Sequence, residues 1–333
     1  MVKAVSLPFF TPTFAVFQNC AAPEFVLSQC ENGEVHMINQ YIDLACLKKF
    51  LQGYTSPWVT LPGANIENYK SLTRYTVHMT YAHEFCGNII HSILNDNMYI
   101  YFKGFDDYYI PGKSWYGIKH MKHDGIISGY DDDRNTYDII AYDMNWNFSC
   151  IKVPQDAFIE SMYKAIEQDF MPFIVAVKVK TNPVGYDSKE ICANIKRYLD
   201  SDLNKYPLDK DGKVQGIAVH EYLAMYMNKL LDGSIPYESM DWRPMRAVWE
   251  YRVYTLKRIK AIESDLMLDC SMSNLYQHIV DESNKLRLMY AIYHKKKKDS
   301  ILQSVHDGIL DLYEKERHIL NSLILDVEGV LKI

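Results

Sequence analysis

The chain has 333 residues, of which 48% are apolar and 23% charged, and these are the proportions of a folded protein rather than a disordered or fibrous one. At roughly 150 residues per domain, this length predicts about two domains. The formal net charge of −6 gives no electrostatic reason to expect nucleic acid or an anionic membrane as partner. No apolar stretch approaches the about 20 residues of a membrane span, and the first residues lack a signal-peptide pattern, so we expect a cytoplasmic protein.

The first half of the chain mixes strand and helix patterns. Short runs with alternating or β-branched apolar residues predict strands at 97–104, 125–130, 137–142, 148–153 and 173–180. The second and third of these enclose a polar turn at 131–136 and therefore predict a hairpin. A helix opened by Pro154 is predicted over 155–170, and its apolar face should cover a sheet of about five strands.

From residue 187 the apolar residues follow a helical period. Helices are predicted at about 187–199, 216–232, 243–265 and 273–293, and a long apolar stripe runs from 301 to 323. We therefore predict an α+β protein with two domains, a mixed one over 1–183 and an α-helical one over 184–333. The boundary should lie in 181–188, around Pro183 and Gly185.

The seven cysteines include one candidate nucleophile. Their odd number and the absence of any Cys-x-x-Cys pair favour reduced thiols, most of them buried as small hydrophobic side chains. Cys20 stands before small residues, Pro23 and an apolar run, which is typical of a helix start. The unpaired amides of a first helical turn carry partial positive charge and favour the thiolate. Taken alone, the same pattern also fits a buried structural cysteine.

His123 is the candidate base. It enters the first strand of the predicted hairpin, and Asp143 follows the second strand. Because the two strands are antiparallel, the hairpin should return Asp143 towards His123, where a carboxylate could hold the imidazole in one tautomer facing a thiol. Asp124 and Asp131 are rival partners, but Asp124 should point to the other face of the strand and Asp131 lies at the distant turn.

Together these residues resemble a known family. Cys20 at a helix start, the segment Tyr108-Tyr-Ile-Pro111, His123 in HDGIISGYDD, and Asp143 resemble the papain-like fold. Within that fold they are most similar to the protease-like acyltransferases of natural-product biosynthesis, the butirosin BtrH-like group in particular. The resemblance is clearest over residues 14–160. It implies a papain-like cysteine-protease fold over 1–183, with the additional α-helical domain of 184–333 completing the substrate cleft.

The resemblance also implies an activity. We expect a cysteine-dependent acyltransferase or transamidase with a Cys20, His123 and Asp143 triad. The acyl or peptidyl group would pass from a carrier-protein thioester to Cys20 and then to a small amine, as in nonribosomal peptide or closthioamide-like antibiotic biosynthesis. Because a thioester and an acyl-Cys are close in free energy, we expect no nucleotide and no other cofactor. The expected partners are the carrier protein and the amine, without nucleic acid or membrane.

One departure from the family concerns the oxyanion donors. Papain-like enzymes place a Gln several residues before the Cys, but position 14 is Phe. The nearest side-chain amides are Gln18 and Asn19, and we predict these, with the backbone N–H of Cys20, as the donors.

Other functions have weaker support in the sequence. The same triad could serve a cysteine peptidase or thioesterase that uses water as acceptor, and a structural thiol would fit a non-catalytic binding protein. The grouping of His83, Cys86 and His91 lacks a familiar zinc spacing, and the loop starting at Asp131 lacks the Gly and the closing Glu of a calcium loop, so we expect no metal site. No Gly-rich phosphate-binding motif occurs.

Overall fold

A computed structural model describes residues 3–53, 56–180, 185–201 and 212–332. Its strands are β1 (Ala4–Ser6), β2 (Ala45–Leu47), β3 (Leu72–His78), β4 (Ile100–Asp106), β5 (Lys122–Asp131), β6 (Thr136–Tyr142), β7 (Phe148–Pro154), β8 (Phe173–Val179) and β9 (Lys213–Gln215). Its α-helices are α1 (Gln18–Leu27), α2 (Gly33–Asn39), α3 (Met79–Ala82), α4 (Cys86–Asn95), α5 (Gln155–Glu167), α6 (Ser188–Leu199), α7 (Val219–Leu231), α8 (Pro244–Asp265), α9 (Ser271–Lys296) and α10 (Asp299–Leu331). Within the described ranges, no helix combines the length and the apolar character needed to cross a membrane.

The chain divides into two compact units, which differ from the predicted domains in one segment. The first unit is Met1–Glu34 with Ala64–Pro183, and the second is Val35–Gly63 with Val184–Ile333. The change of unit after residue 183 falls in the predicted boundary segment, of which 181–184 lie outside the described residues. The segment 35–63, predicted in the first domain, groups with the helical unit instead.

Polar side chains of α8 explain why this segment groups with the helices. The hydroxyl of Tyr254 donates to the carbonyl of Gln40 over 2.5 Å, and Arg258 Nη2 donates to the same carbonyl over 3.0 Å. In the same unit β2 pairs antiparallel with β9. Local sequence patterns do not reveal contacts between residues more than 200 positions apart. The grouping of segment 35–63 with the helices could therefore not be predicted from the sequence.

The first unit is built on one antiparallel sheet. Six strands follow the order β3-β8-β4-β5-β6-β7, and β1 adds to β5 as a seventh. The five predicted strands correspond to β4 to β8, and the β5–β6 hairpin is confirmed. The predicted number of strands was wrong because β1 has three residues, and because β3 exposes three successive side chains, which hides any alternation.

Helix α1 packs against β5, and all its residues except Asn19 are buried. The buried carboxylate of Glu24 accepts hydrogen bonds from the backbone N–H groups of Thr13, at 2.7 Å, and Phe14, at 2.8 Å. These bonds fix the segment that leads into the helix. Pro23 lies inside the helix rather than at the helix start that the sequence pattern predicted for this segment.

A β-bulge at Gly104 sets the end of β4. Lys103 pairs with Asp124, but the next pair is Phe105 with His123, so Gly104 is an extra residue on its strand. Its φ of 83° lies in the left-handed region, which glycine adopts without steric cost. A shift of one residue moves each following side chain to the other face of the sheet. The bulge therefore determines which face of the sheet the side chains of Asp106 and Asp107 point to.

In the part of the second unit that the structure describes, five long helices, α6 to α10, surround a buried ion cluster. Glu316 of α10 binds Arg252 of α8, with 2.9 Å between Oε2 and Nε, and it accepts a hydrogen bond from the Tyr276 hydroxyl at 2.5 Å. Arg252 also donates to Ser283 Oγ over 3.1 Å. Burial alone would raise the pKa of Glu316, but the charges of Arg252 and His220, with the hydrogen bonds from Tyr276 and Arg252, together outweigh it and hold that pKa below its ordinary value. The cluster is therefore ionised and paired.

We expect Glu316→Ala to destabilise the protein by about 3–5 kcal/mol, because it leaves the fully buried Arg252 without a counter-charge. Urea unfolding followed by circular dichroism measures the change. The control is Glu314→Ala, which removes an exposed carboxylate from the same helix and should change stability by less than about 0.5 kcal/mol. Equal effects of the two substitutions would contradict the role of the cluster.

Candidate active site

His123 is held by Asp107. Its Nδ1 lies 2.5 Å from Asp107 Oδ2, and the carboxylate is fully buried while the imidazole is partly exposed. A carboxylate on Nδ1 holds the ring in one tautomer and leaves Nε2 free to act as a base. Asp107 begins a single 3₁₀ turn directly after β4, so the bulge at Gly104 lies three residues before the carboxylate.

Asp143 does not orient His123, which corrects the predicted triad. The β5–β6 hairpin does return the chain in antiparallel fashion, but the Asp143 carboxylate binds its own turn. Oδ1 accepts from the backbone N–H groups of Asn145, at 2.8 Å, and Asn147, at 2.9 Å. Aspartate side chains commonly close turns in this way, and the sequence analysis did not weigh that competing use of the carboxylate.

The rival carboxylates also have other partners. Asp124 accepts a hydrogen bond from Gln18 Nε2 over 3.0 Å and another from the Tyr101 hydroxyl over 2.9 Å. Asp131 lies at the β5–β6 turn and accepts from the backbone N–H of Arg134. The sequence analysis did not consider Asp107, because the strand predicted at 97–104 ended before it and the bulge was not foreseen.

Cys20 lies in the first turn of α1, as predicted, and its side chain is buried. Its backbone N–H donates to the carbonyl of Phe17 over 3.0 Å, so this predicted oxyanion donor is engaged within the helix start. Gln18, two residues earlier, contacts Asp124, which is the neighbour of His123 on β5. The start of α1 and the start of β5 therefore adjoin.

Tyr101 belongs to the same group of side chains, because its hydroxyl donates to Asp124 over 2.9 Å. Burial, then the charge of Asp124, raises the pKa of the Tyr101 hydroxyl well above its ordinary value.

Burial disfavours the thiolate form at several other cysteines. Burial raises the pKa of Cys46 and of Cys86 to about 12. Burial also raises the pKa of Cys192. Such thiols are protonated near neutral pH, and the thiolate is the reactive form.

Gln18 is buried and engaged at both ends of its amide. Its Oε1 accepts from the backbone N–H of Tyr142 at 2.9 Å and from Lys113 Nζ at 3.3 Å, while Nε2 donates to Asp124. Asn19 is the one residue of α1 that is not buried, and its Oδ1 lies 4.0 Å from Cys20 Sγ. Their roles as oxyanion donors stay predictions.

A second His–Asp pair lies beside the first. His120 Nδ1 is 2.7 Å from Asp106 Oδ2, and the ring stacks on Tyr108 with 4.4 Å between centroids. Gln168 Nε2 donates to the same carboxylate oxygen over 3.1 Å. The adjacent residues Asp106 and Asp107 thus each bind one histidine. The pair of Asp107 and His123 is joined to α1 through Lys113 and Gln18.

Exposed aromatic side chains border the site. An isolated bridge between Lys113 and Asp143 joins the segment after Asp107 to the turn after β6. The rings of Trp115 and Trp146, one from each segment, meet edge to face with 5.9 Å between centroids. Tyr116 and Trp146 are each 48% exposed, so these segments present aromatic surface to solvent.

The residues considered for metal binding have other contacts. His91 stacks on Tyr130 with 4.0 Å between ring centroids, and His83 Nδ1 lies 3.3 Å from the carbonyl of Thr80. The loop beginning at Asp131 forms the β5–β6 turn. Among the residues that the structure describes, no group of three or more potential ligands is arranged to hold a metal ion.

Comparison of the sequence with protein-family models gives no match, and comparison with curated proteins gives none either.

Proposed function

We propose that this protein is a cysteine-dependent acyltransferase with a papain-like first unit, in which Cys20 is the nucleophile, His123 the base and Asp107 the orienting carboxylate. The observation that carries the proposal is the 2.5 Å contact between His123 Nδ1 and the buried Asp107, at the start of β5, the strand against which α1 packs. The antiparallel sheet of the first unit, and the buried helix that carries Cys20 in its first turn, support a papain-like arrangement.

The proposed reaction has two transfers at one carbonyl carbon. His123 takes the proton of Cys20, the thiolate attacks the carbonyl of a carrier-bound thioester, and the carrier thiol leaves with the proton from the imidazolium. A neutral amine then attacks the acyl-Cys20 carbonyl, His123 accepts the amine proton, and the Cys20 sulfur leaves to be reprotonated. One thioester is consumed and one amide is formed, so the sequence of steps needs no oxidant and no nucleotide.

Asp107 would act through His123 in both transfers. A buried anion beside Nδ1 stabilises the imidazolium that forms each time the ring accepts a proton. It also fixes the ring plane, which keeps Nε2 directed to the reacting atoms.

The aromatic border favours transfer over hydrolysis. Tyr116, Trp115 and Trp146 offer apolar surface that a bound acyl group or amine can cover, and such cover reduces the access of water to an acyl-Cys. A bound amine then competes at a high effective concentration.

We expect amide as the main product when the protein is incubated with a carrier-bound acyl thioester and small mono- and diamines. Mass spectrometry of the intact protein should first show an acyl adduct on Cys20, and analysis of the small-molecule fraction should show more amide than free acid. The matched control is Cys30→Ala, which removes a thiol near the far end of α1 and should leave the ratio unchanged.

Free acid with every amine would replace the proposal by a thioesterase that uses the same residues. Cleavage of ordinary peptides would replace it by a peptidase. Absence of any adduct on Cys20 would leave a non-catalytic binding protein.

A further inference from the structure

A buried lysine connects the orienting carboxylate to the helix that carries the thiol. The Lys113 side chain is 1% exposed, and its Nζ lies 3.5 Å from Asp107 Oδ1 and 3.3 Å from Gln18 Oε1. Asp107 therefore has one oxygen against His123 and the other against Lys113. Gln18 in turn lies two residues before Cys20.

Burial makes this arrangement demanding. An ammonium and a carboxylate that leave water lose much hydration free energy, which the fold recovers only when the two charges pair and their remaining polar atoms find partners. Asp107 Oδ1 has no hydrogen bond from any described residue, and it pairs with the Lys113 ammonium instead. Without that ammonium, a fully buried oxygen would face no positive charge, and the carboxylate could turn away from His123.

The second contact of the Lys113 ammonium is with Gln18, the first residue of α1. Gln18 Oε1 accepts both from Lys113 and from the backbone of Tyr142 at the end of β6. Lys113 itself is fixed by its backbone, since it forms a bridge with Asp143 at the start of the next turn. Lys113 is thus held at three points, two of them on its ammonium and one on its backbone, and the ammonium spans the gap between α1 and the Asp107 carboxylate.

We propose that Lys113 is a positioning residue that acts through Asp107: its ammonium holds the carboxylate against His123 and so maintains the activation of Cys20. This inference rests on the proposed function and adds a fourth, buried member to its site. Lys113 touches no reacting atom, and its effect on the thiol should vanish once the carboxylate is gone.

The test is a double-mutant cycle on the full chain with a readout that needs no substrate. The rate of Cys20 alkylation by iodoacetamide at neutral pH is measured by peptide mapping in wild type, Lys113→Met, Asp107→Asn and the double variant. We expect Lys113→Met alone to slow alkylation by about ten-fold or more, and to slow it by less than about two-fold when Asp107 is already Asn. The control is Lys122→Met, which removes an exposed lysine adjacent to His123 and should leave the rate unchanged.

The proposal would be overturned if Lys113→Met slowed Cys20 alkylation equally in the wild-type and the Asp107→Asn protein. It would also be overturned if Lys113→Met did not slow alkylation in the wild-type protein. If thermal melting shows that Lys113→Met does not fold, Lys113→Gln, which keeps a hydrogen-bond donor but not the charge, decides by the same comparison. A wild-type Cys20 no more reactive than the other thiols would refute the proposed function, and the role of Lys113 with it. A reactive Cys20 that is indifferent to Lys113 would refute the role of Lys113 alone.

Discussion

Replacing Cys20 by Ala should abolish acyl transfer, and His123→Ala should lower the rate by a comparable factor, of order 10³ or more. The reason is that thiol and imidazole act as one unit: without the base the buried thiol stays protonated, and without the thiol the base has nothing to activate. Turnover of a carrier-bound thioester, followed by mass spectrometry, measures both losses. The double variant should be no slower than Cys20→Ala.

The fold should survive these substitutions. Cys20→Ala removes one sulfur from a buried helix, so the melting temperature checks that the loss is chemical rather than structural. His120→Ala is the matched control for His123→Ala, because His120 is also held by an aspartate, Asp106, but belongs to the neighbouring pair. Full activity of Cys20→Ala would end the hypothesis, and a greater loss in His120→Ala than in His123→Ala would move the base to the other pair.

The second large effect on the rate is expected from removing the charge of the Asp107 carboxylate. Asp107→Asn should lower the rate by about 10⁴, since the amide removes the charge that stabilises the imidazolium and can favour the wrong tautomer. Asp143→Asn should cost less than about ten-fold, because the Asp143 carboxylate closes a turn rather than contacting the ring. Both variants are compared with wild type under saturating thioester.

The ranking of the two variants decides the assignment. The same order should appear in the alkylation rate of Cys20, which depends on His123 but not on substrate binding. If Asp143→Asn were the slower enzyme, the triad expected from the hairpin would be correct and the contact of Asp107 would be structural.

Much of the first unit could be predicted from local patterns. The strands β4 to β8 and the β5–β6 hairpin follow from alternation and a polar turn, both of which depend on residues close in sequence. The strands β1 and β3 carry no such pattern. Their pairing with β5 and β8 depends on partners far along the chain, which a single sequence does not reveal.

The candidate site was predicted in part for a similar reason. Cys20 and His123 have local signals, a helix start and a strand start. The choice between Asp107 and Asp143 depends on a bulge at Gly104 and on a turn that captures one carboxylate, and neither is visible as a periodicity. Lys113 was missed because a lysine in a loop ordinarily predicts solvent exposure, whereas here two buried partners retain it.

The placement of residues 35–63 bears on how the chain can be divided. The polypeptide passes from one unit to the other after residues 34, 63 and 183. A fragment cut after residue 183 would keep the carbonyls of Met37 and Gln40 but lose the Tyr254 hydroxyl that donates to them. To obtain the first unit alone, residues 35–63 would have to be excised and the ends rejoined, so limited truncation from the C-terminus cannot separate the candidate catalytic residues from the helices.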